Sequence, residues 1–72
     1  MTNPKLLREK IEESGLKLKY VAEKAGLTYQ GLWNKLENKN EFTTSEIAAL
    51  CEILNITSLK EKDSIFYAKK SD

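Results

Sequence analysis

Histidine is absent from the 72 residues. With it go the commonest general base near neutral pH and the commonest metal ligand. There is one cysteine, Cys51, so no internal disulfide can form, and the fold must stand on packing in a reducing compartment. No apolar run approaches the roughly 18 residues of a spanning helix, and the first residues show no apolar signal segment. A cytoplasmic protein with no membrane contact is expected. No carboxylate pair, metal-ligand spacing or glycine-rich phosphate loop stands out, so neither catalysis nor a metal or cofactor is expected. Strong charge of one sign is lacking too, the net value being +1. That argues against tight nonspecific binding to nucleic acid, where phosphate contacts dominate affinity.

What is present suits one small domain, expected over residues 1–72. A chain of this length buries only about 60% of its unfolded surface, which leaves no room for a deep cavity. Apolar residues make up 40% and charged residues 32%, a globular balance rather than a disordered one. The charge is unevenly spread. Residues 17–39 carry Lys17, Lys19, Lys24, Lys35 and Lys39 against Glu23 and Glu37, whereas residues 40–59 carry Glu41, Glu46 and Glu52 and no cation.

The periodicity is helical throughout. Asn3-Pro4 reads as an N-cap followed by proline at the first helical position, where its missing N–H costs nothing. Leu7 and Ile11 then share a face, and the helix is expected to end near Ser14-Gly15. Leu18, Val21, Ala22 and Ala25 give a second apolar stripe that stops at Gly26, the residue wanted in a left-handed helix end. Thr28 caps a third helix with Leu32 and Leu36 on one face. Asn38-Lys39-Asn40 reads as a polar loop. Thr43 with Glu46 and Ser58 with Glu61 each fit a capping box. The first opens a helix striped by Ile47, Leu50, Cys51 and Leu54 and closed by Asn55; the second opens a short helix through Ile65, Phe66 and Ala68. Phe42 and Phe66 are expected core plugs, Cys51 a small inert hydrophobe on the buried stripe, and Lys69 to Asp72 a frayed end. The expected class is all-α, five short helices around one core.

The segment from about 18 to 37 carries more information. Two short helices joined by a tight glycine turn make a helix-turn-helix. Ala22 is small enough for the helices to approach, Gly26 supplies the turn, and Val21, Leu27 and Leu32 fill the wedge. Over nearly its whole length, and most clearly through Leu18-Lys19-Tyr20-Val21-Ala22-Glu23-Lys24-Ala25-Gly26-Leu27-Thr28-Tyr29-Gln30-Gly31-Leu32, the chain resembles the Cro/repressor class of helix-turn-helix domains. Within that class, the opening Leu7-Arg8-Glu9-Lys10-Ile11-Glu12-Glu13-Ser14-Gly15-Leu16-Lys17, the stretch Leu32-Trp33-Asn34-Lys35-Leu36-Glu37-Asn38-Lys39 and the closing Ile65-Phe66-Tyr67-Ala68 look like the modulators of repression, or antirepressors, of lactococcal temperate phages. That resemblance implies a part in a lysis–lysogeny switch, with the N-terminal DNA-binding domain of the phage repressor as partner. The alternative, implied by the broader class, is a Cro-like repressor reading operator DNA through the third helix.

In a helix-turn-helix the second motif helix enters the major groove, and its N-terminal residues meet base edges. Those positions are Thr28, Tyr29, Gln30, Trp33 and Asn34, with Lys35 and Lys39 beside the phosphates. Gln30 and Asn34 have the chemistry to read adenine, or are simply polar residues on a wet face. The class usually opens the first motif helix with a Thr-Gln or Ser-Gln pair whose glutamine holds a phosphate. Lys17-Leu18 stands there instead, leaving Lys17 and Lys19 to act by charge alone. Arginine, the usual reader of guanine, is missing from the segment; the one arginine is Arg8, on the first helix, whose charges read as a solvated face. Trp33 lies about 100° from the Leu32 stripe, with Tyr29 four residues earlier. It either faces outward as an anchor for a protein partner or folds back onto Phe42 or the fourth helix as core. Tyr20, one position off its stripe, has the same two readings.

Overall fold

The computed structural model describes residues 1–68; the end read from sequence as frayed, residues 69–72, lies outside the described residues. Five helices follow one another: α1 (Pro4–Ser14), α2 (Leu18–Lys24), α3 (Tyr29–Leu36), α4 (Thr44–Ile53) and α5 (Leu59–Phe66). Among the described residues there is no strand, and no helix is long and apolar enough to cross a membrane.

The helix starts are set by side chains. Asn3 Oδ1 accepts the Leu6 N–H at 3.2 Å, and Pro4 follows it in the first turn. Thr28 Oγ1 accepts the Gly31 N–H at 2.9 Å. At α4 the capping box is complete: Thr43 Oγ1 accepts from the Glu46 N–H, and Glu46 Oε1 accepts from the Thr43 N–H. The box expected at Ser58 is only half made. Ser58 Oγ does accept the Glu61 N–H, but the Glu61 carboxylate turns away to Lys10 on α1, 2.7 Å distant. The Lys10 ammonium offers the carboxylate a full opposite charge, where the cap offers only a backbone dipole. The same contact holds the Lys10 ammonium above its ordinary pKa.

Three helices end in one way. After α2, the Leu27 N–H donates to the Ala22 carbonyl and Gly26 N–H to Glu23, with Gly26 at φ 77°. The pattern repeats after α3 with Asn38 at φ 60° and after α4 with Asn55 at φ 56°. Each closes orphan carbonyls through a left-handed residue, and asparagine is the residue besides glycine that tolerates it. The stretch at Asn38, read from sequence as a polar loop, is therefore a defined helix end. Its side chain also donates to the Thr2 carbonyl at 3.0 Å.

One apolar cluster joins all five helices. Leu7 and Ile11 come from α1, Val21 and Ala22 from α2, Leu32 and Leu36 from α3, Ile47 and Leu50 from α4, and Ile65 and Phe66 from α5. Phe42 is buried as expected, and its ring meets Phe66 edge-on at 5.8 Å between centroids. Leu27, in the wedge, is half-buried. Cys51 differs from expectation. It sits at the core's margin, half-buried rather than enclosed, and that burial raises its thiol pKa.

The Lys35–Glu46 ion pair, 2.6 Å, pins the last turn of α3 to the first turn of α4, with both side chains mostly covered. Burial works to raise the Glu46 pKa, yet Lys35 and the Thr43 N–H overcome it and hold the carboxylate below its ordinary value. A carboxylate depressed in the folded state contributes stability above its unfolded pKa, and this is lost as pH falls through the folded value. Urea unfolding at pH 7 and pH 3 is the check. Glu46→Gln keeps the cap acceptor but not the ion pair, so it should lower stability by about 1 kcal/mol at pH 7 and shrink the wild-type loss at pH 3. Equal acid losses in both proteins would mean that the pair contributes nothing.

Candidate nucleic-acid and partner interface

The outer surface of α3 is organised as two columns at i, i+4 spacing. Tyr29 and Trp33 form one, their rings edge-to-face at 6.3 Å between centroids. Gln30 and Asn34 form the other, joined by a 3.1 Å hydrogen bond from Gln30 Nε2 to Asn34 Oδ1. Thr28 stands at the helix start with its hydroxyl engaged as the cap. The fold thus brings Thr28, Tyr29, Gln30, Trp33 and Asn34 together on one face.

Trp33 lies between the two placements read from the sequence. It is half-buried, packed at the edge of the core, and it points toward α1. There the Arg8 guanidinium lies 4.8 Å from the ring centroid. Leu32 is fully buried on the core side, and α3 packs on α1 as well as α2, so the position next to Leu32 also meets the flank of α1. Tyr29 stays about half exposed, and so does Tyr20 on α2, whose ring carries Lys24 Nζ at 5.6 Å.

The cations divide. Lys17 and Lys19 are exposed at the start of α2, whose N-terminus has no side-chain cap. Lys39 is exposed and pairs loosely with Glu37 at 3.3 Å. Lys35, placed from the sequence beside the phosphates, is turned inward to Glu46 and the Phe42 ring; it braces α3 against α4 and does not join the outer face. Arg8 is the residue that sequence reasoning passed over. Nothing in α1's own periodicity distinguishes it from a solvated charge; only the α1–α3 packing brings it to the site.

Residues 6–61 match the family described as the Cro/C1-type HTH DNA-binding domain. The chain belongs to that family. No curated protein and no solved structure matches it. In helix-turn-helix proteins the second motif helix lies in the major groove with its N-terminal residues against base edges. The amide column is the part with base-reading chemistry. The aromatic column has the composition of a protein-contact hot spot.

Proposed function

We propose that this Cro/C1-type domain is a regulator of a phage lysis–lysogeny switch that acts as an antirepressor, binding the N-terminal DNA-binding domain of the phage repressor. The observation that carries this reading is the Tyr29–Trp33 pair beside the amide column of α3, with Tyr29 about half exposed and Trp33 half-buried. Tyr and Trp are enriched where protein partners exclude water. Near-neutral charge favours the same reading, since it weakens the electrostatic pull of a duplex. In mechanism, the α3 face covers the repressor's own DNA-contacting surface, so this chain and the operator compete for the repressor. Fluorescence anisotropy of labelled switch-region DNA, with repressor titrated by this chain, tests it. Release of repressor or a changed complex on the DNA is expected; unaltered repressor occupancy at saturating chain would reject it.

A second reading, a Cro-like repressor on operator DNA, is favoured by the Gln30–Asn34 pair. With one Gln30 N–H donated to Asn34, the side chain keeps an acceptor and a second donor, the two groups needed at an adenine edge. Gln30→Ala should then cost about 1–3 kcal/mol on the preferred site and relax preference at one base pair, whereas Lys19→Ala weakens all sequences alike. Competition binding against single-base-substituted operators separates the two patterns, and equal losses on every operator would count against base reading by Gln30.

A further inference from the structure

The geometry assigns Arg8 a role that no part of α1's sequence pattern announces: it is a clamp for the sugar-phosphate backbone of a DNA duplex, held over the Trp33 ring. This rests on the DNA-contacting reading above. Three observations converge. The guanidinium lies over the Trp33 ring at 4.8 Å, although Glu12 stands four residues along the same helix in the position that usually captures an arginine. Among the described residues no carboxylate lies within ion-pair distance of Arg8, and none accepts a hydrogen bond from it. Its donors are therefore open to solvent while the guanidinium rests over the Trp33 ring. Finally, Arg8 lines a depression with Ile11, Glu12, Leu16 and Leu18, and so sits between Trp33 on the flank of α3 and the start of α2.

That is where a strand of duplex passes. When α3 lies in the major groove, the preceding helix crosses the backbone that walls the groove. A cation on the α3 flank, next to the start of α2, meets that wall rather than a base edge. Arginine suits the task because its planar fork matches two phosphate oxygens and stacks on an aromatic face at the same time. Stacking also removes rotamer freedom before binding, so less is lost when the contact forms. Phosphate contacts position a protein without reading sequence. The clamp thus complements the amide column, which reads sequence but carries no charge.

Because the contact is independent of sequence, the probe is a fluorescein-labelled duplex of mixed sequence. Its affinity is measured by anisotropy from about 25 to 200 mM salt, the range over which counterion release is visible. Arg8→Gln should make the slope of log K against log salt shallower by about 0.9, the amount for one phosphate. Arg8→Lys should keep the slope and bind several-fold more weakly, since charge survives but the stack and fork do not. Lys60→Gln, which removes the same charge from α5 on the far side of α1, should leave the slope alone. Acrylamide quenching of Trp33, the one tryptophan in the chain, should rise in Arg8→Gln, and circular dichroism confirms that each variant is folded. A wild-type chain that does not bind the duplex overturns the DNA reading together with the clamp. A wild-type chain that binds, with Arg8→Gln keeping its slope or Lys60→Gln losing as much, overturns the clamp alone.

Discussion

Trp33→Ala is expected to weaken binding to the repressor's DNA-binding domain by about 2 kcal/mol or more, roughly thirtyfold in Kd. The ring is half-buried before any partner arrives, with Tyr29 at its edge and Arg8 across its face. A partner that completes its burial gains apolar area from a side chain whose rotamer is already fixed, so little ordering entropy is lost. Truncation removes that area and leaves Tyr29 and Arg8 without their support. Since Trp33 also packs on the core, some loss of fold stability is built into the variant, and affinity must be measured by titration calorimetry well below its melting point. Tyr29→Ala gives an independent reading, because about half of that side chain is exposed and its removal leaves the core intact. In a double-mutant cycle the two substitutions should couple by about 0.5–1.5 kcal/mol, the range for an aromatic pair. Unchanged affinity in both folded variants would remove the aromatic column from the interface.

The larger effect on the fold itself is expected at Leu32→Ala. Leu32 has no exposed surface and packs in the core cluster that α2 and α3 share with Val21 and Ala22. Leucine-to-alanine changes at such sites cost about 2–5 kcal/mol, through lost transfer energy and the cavity left behind. A chain of this length has a total stability of only about 4–11 kcal/mol. The melting temperature should drop by more than about 10 °C, given 4–8 °C per kcal/mol for small domains. Leu59→Ala is the matched comparison: the same atoms are deleted, but Leu59 is 76% exposed at the first turn of α5. Its thermal denaturation curve should overlay wild type within a degree or two, as surface changes stay within about 0.5 kcal/mol. Similar melting temperatures for the two variants would contradict the packing described here.

How much of this was readable from the residues divides by distance along the chain. Helix starts at Asn3, Thr28 and Thr43 and helix ends at Gly26 and Asn55 depend on partners within six residues, and the sequence displays those partners directly. So do the apolar stripes, because a period near 3.6 fixes which positions share a face. The features missed are those in which one helix answers another. Glu61 abandons its cap for Lys10, and Lys35 leaves the outer face for Glu46. Arg8 leaves its i, i+4 acid for Trp33. Each is decided by how two helices cross, which spacing along one helix does not encode. The left-handed end at Asn38 was missed for another reason: asparagine adopts that conformation at some helix ends and ordinary loop geometry elsewhere.

The matching turns after α2, α3 and α4 also bear on time. Each is closed by bonds no more than five residues long, so these helix ends form on the timescale of local chain motion, around a microsecond. The return of α5 onto α1 is different. It joins the two ends of the described chain, where the Asn3 N–H donates to the Ile65 carbonyl at 2.6 Å, and it closes the longest loop in the fold. The barrier to folding is therefore expected to lie before that closure. Ile65→Val should speed unfolding while leaving the refolding rate nearly unchanged, and stopped-flow refolding that slowed in proportion to the lost stability would place the closure earlier. Until it is made, the motif helices can be in place while Leu7 and Ile65, both buried in the finished fold, still stand open to water.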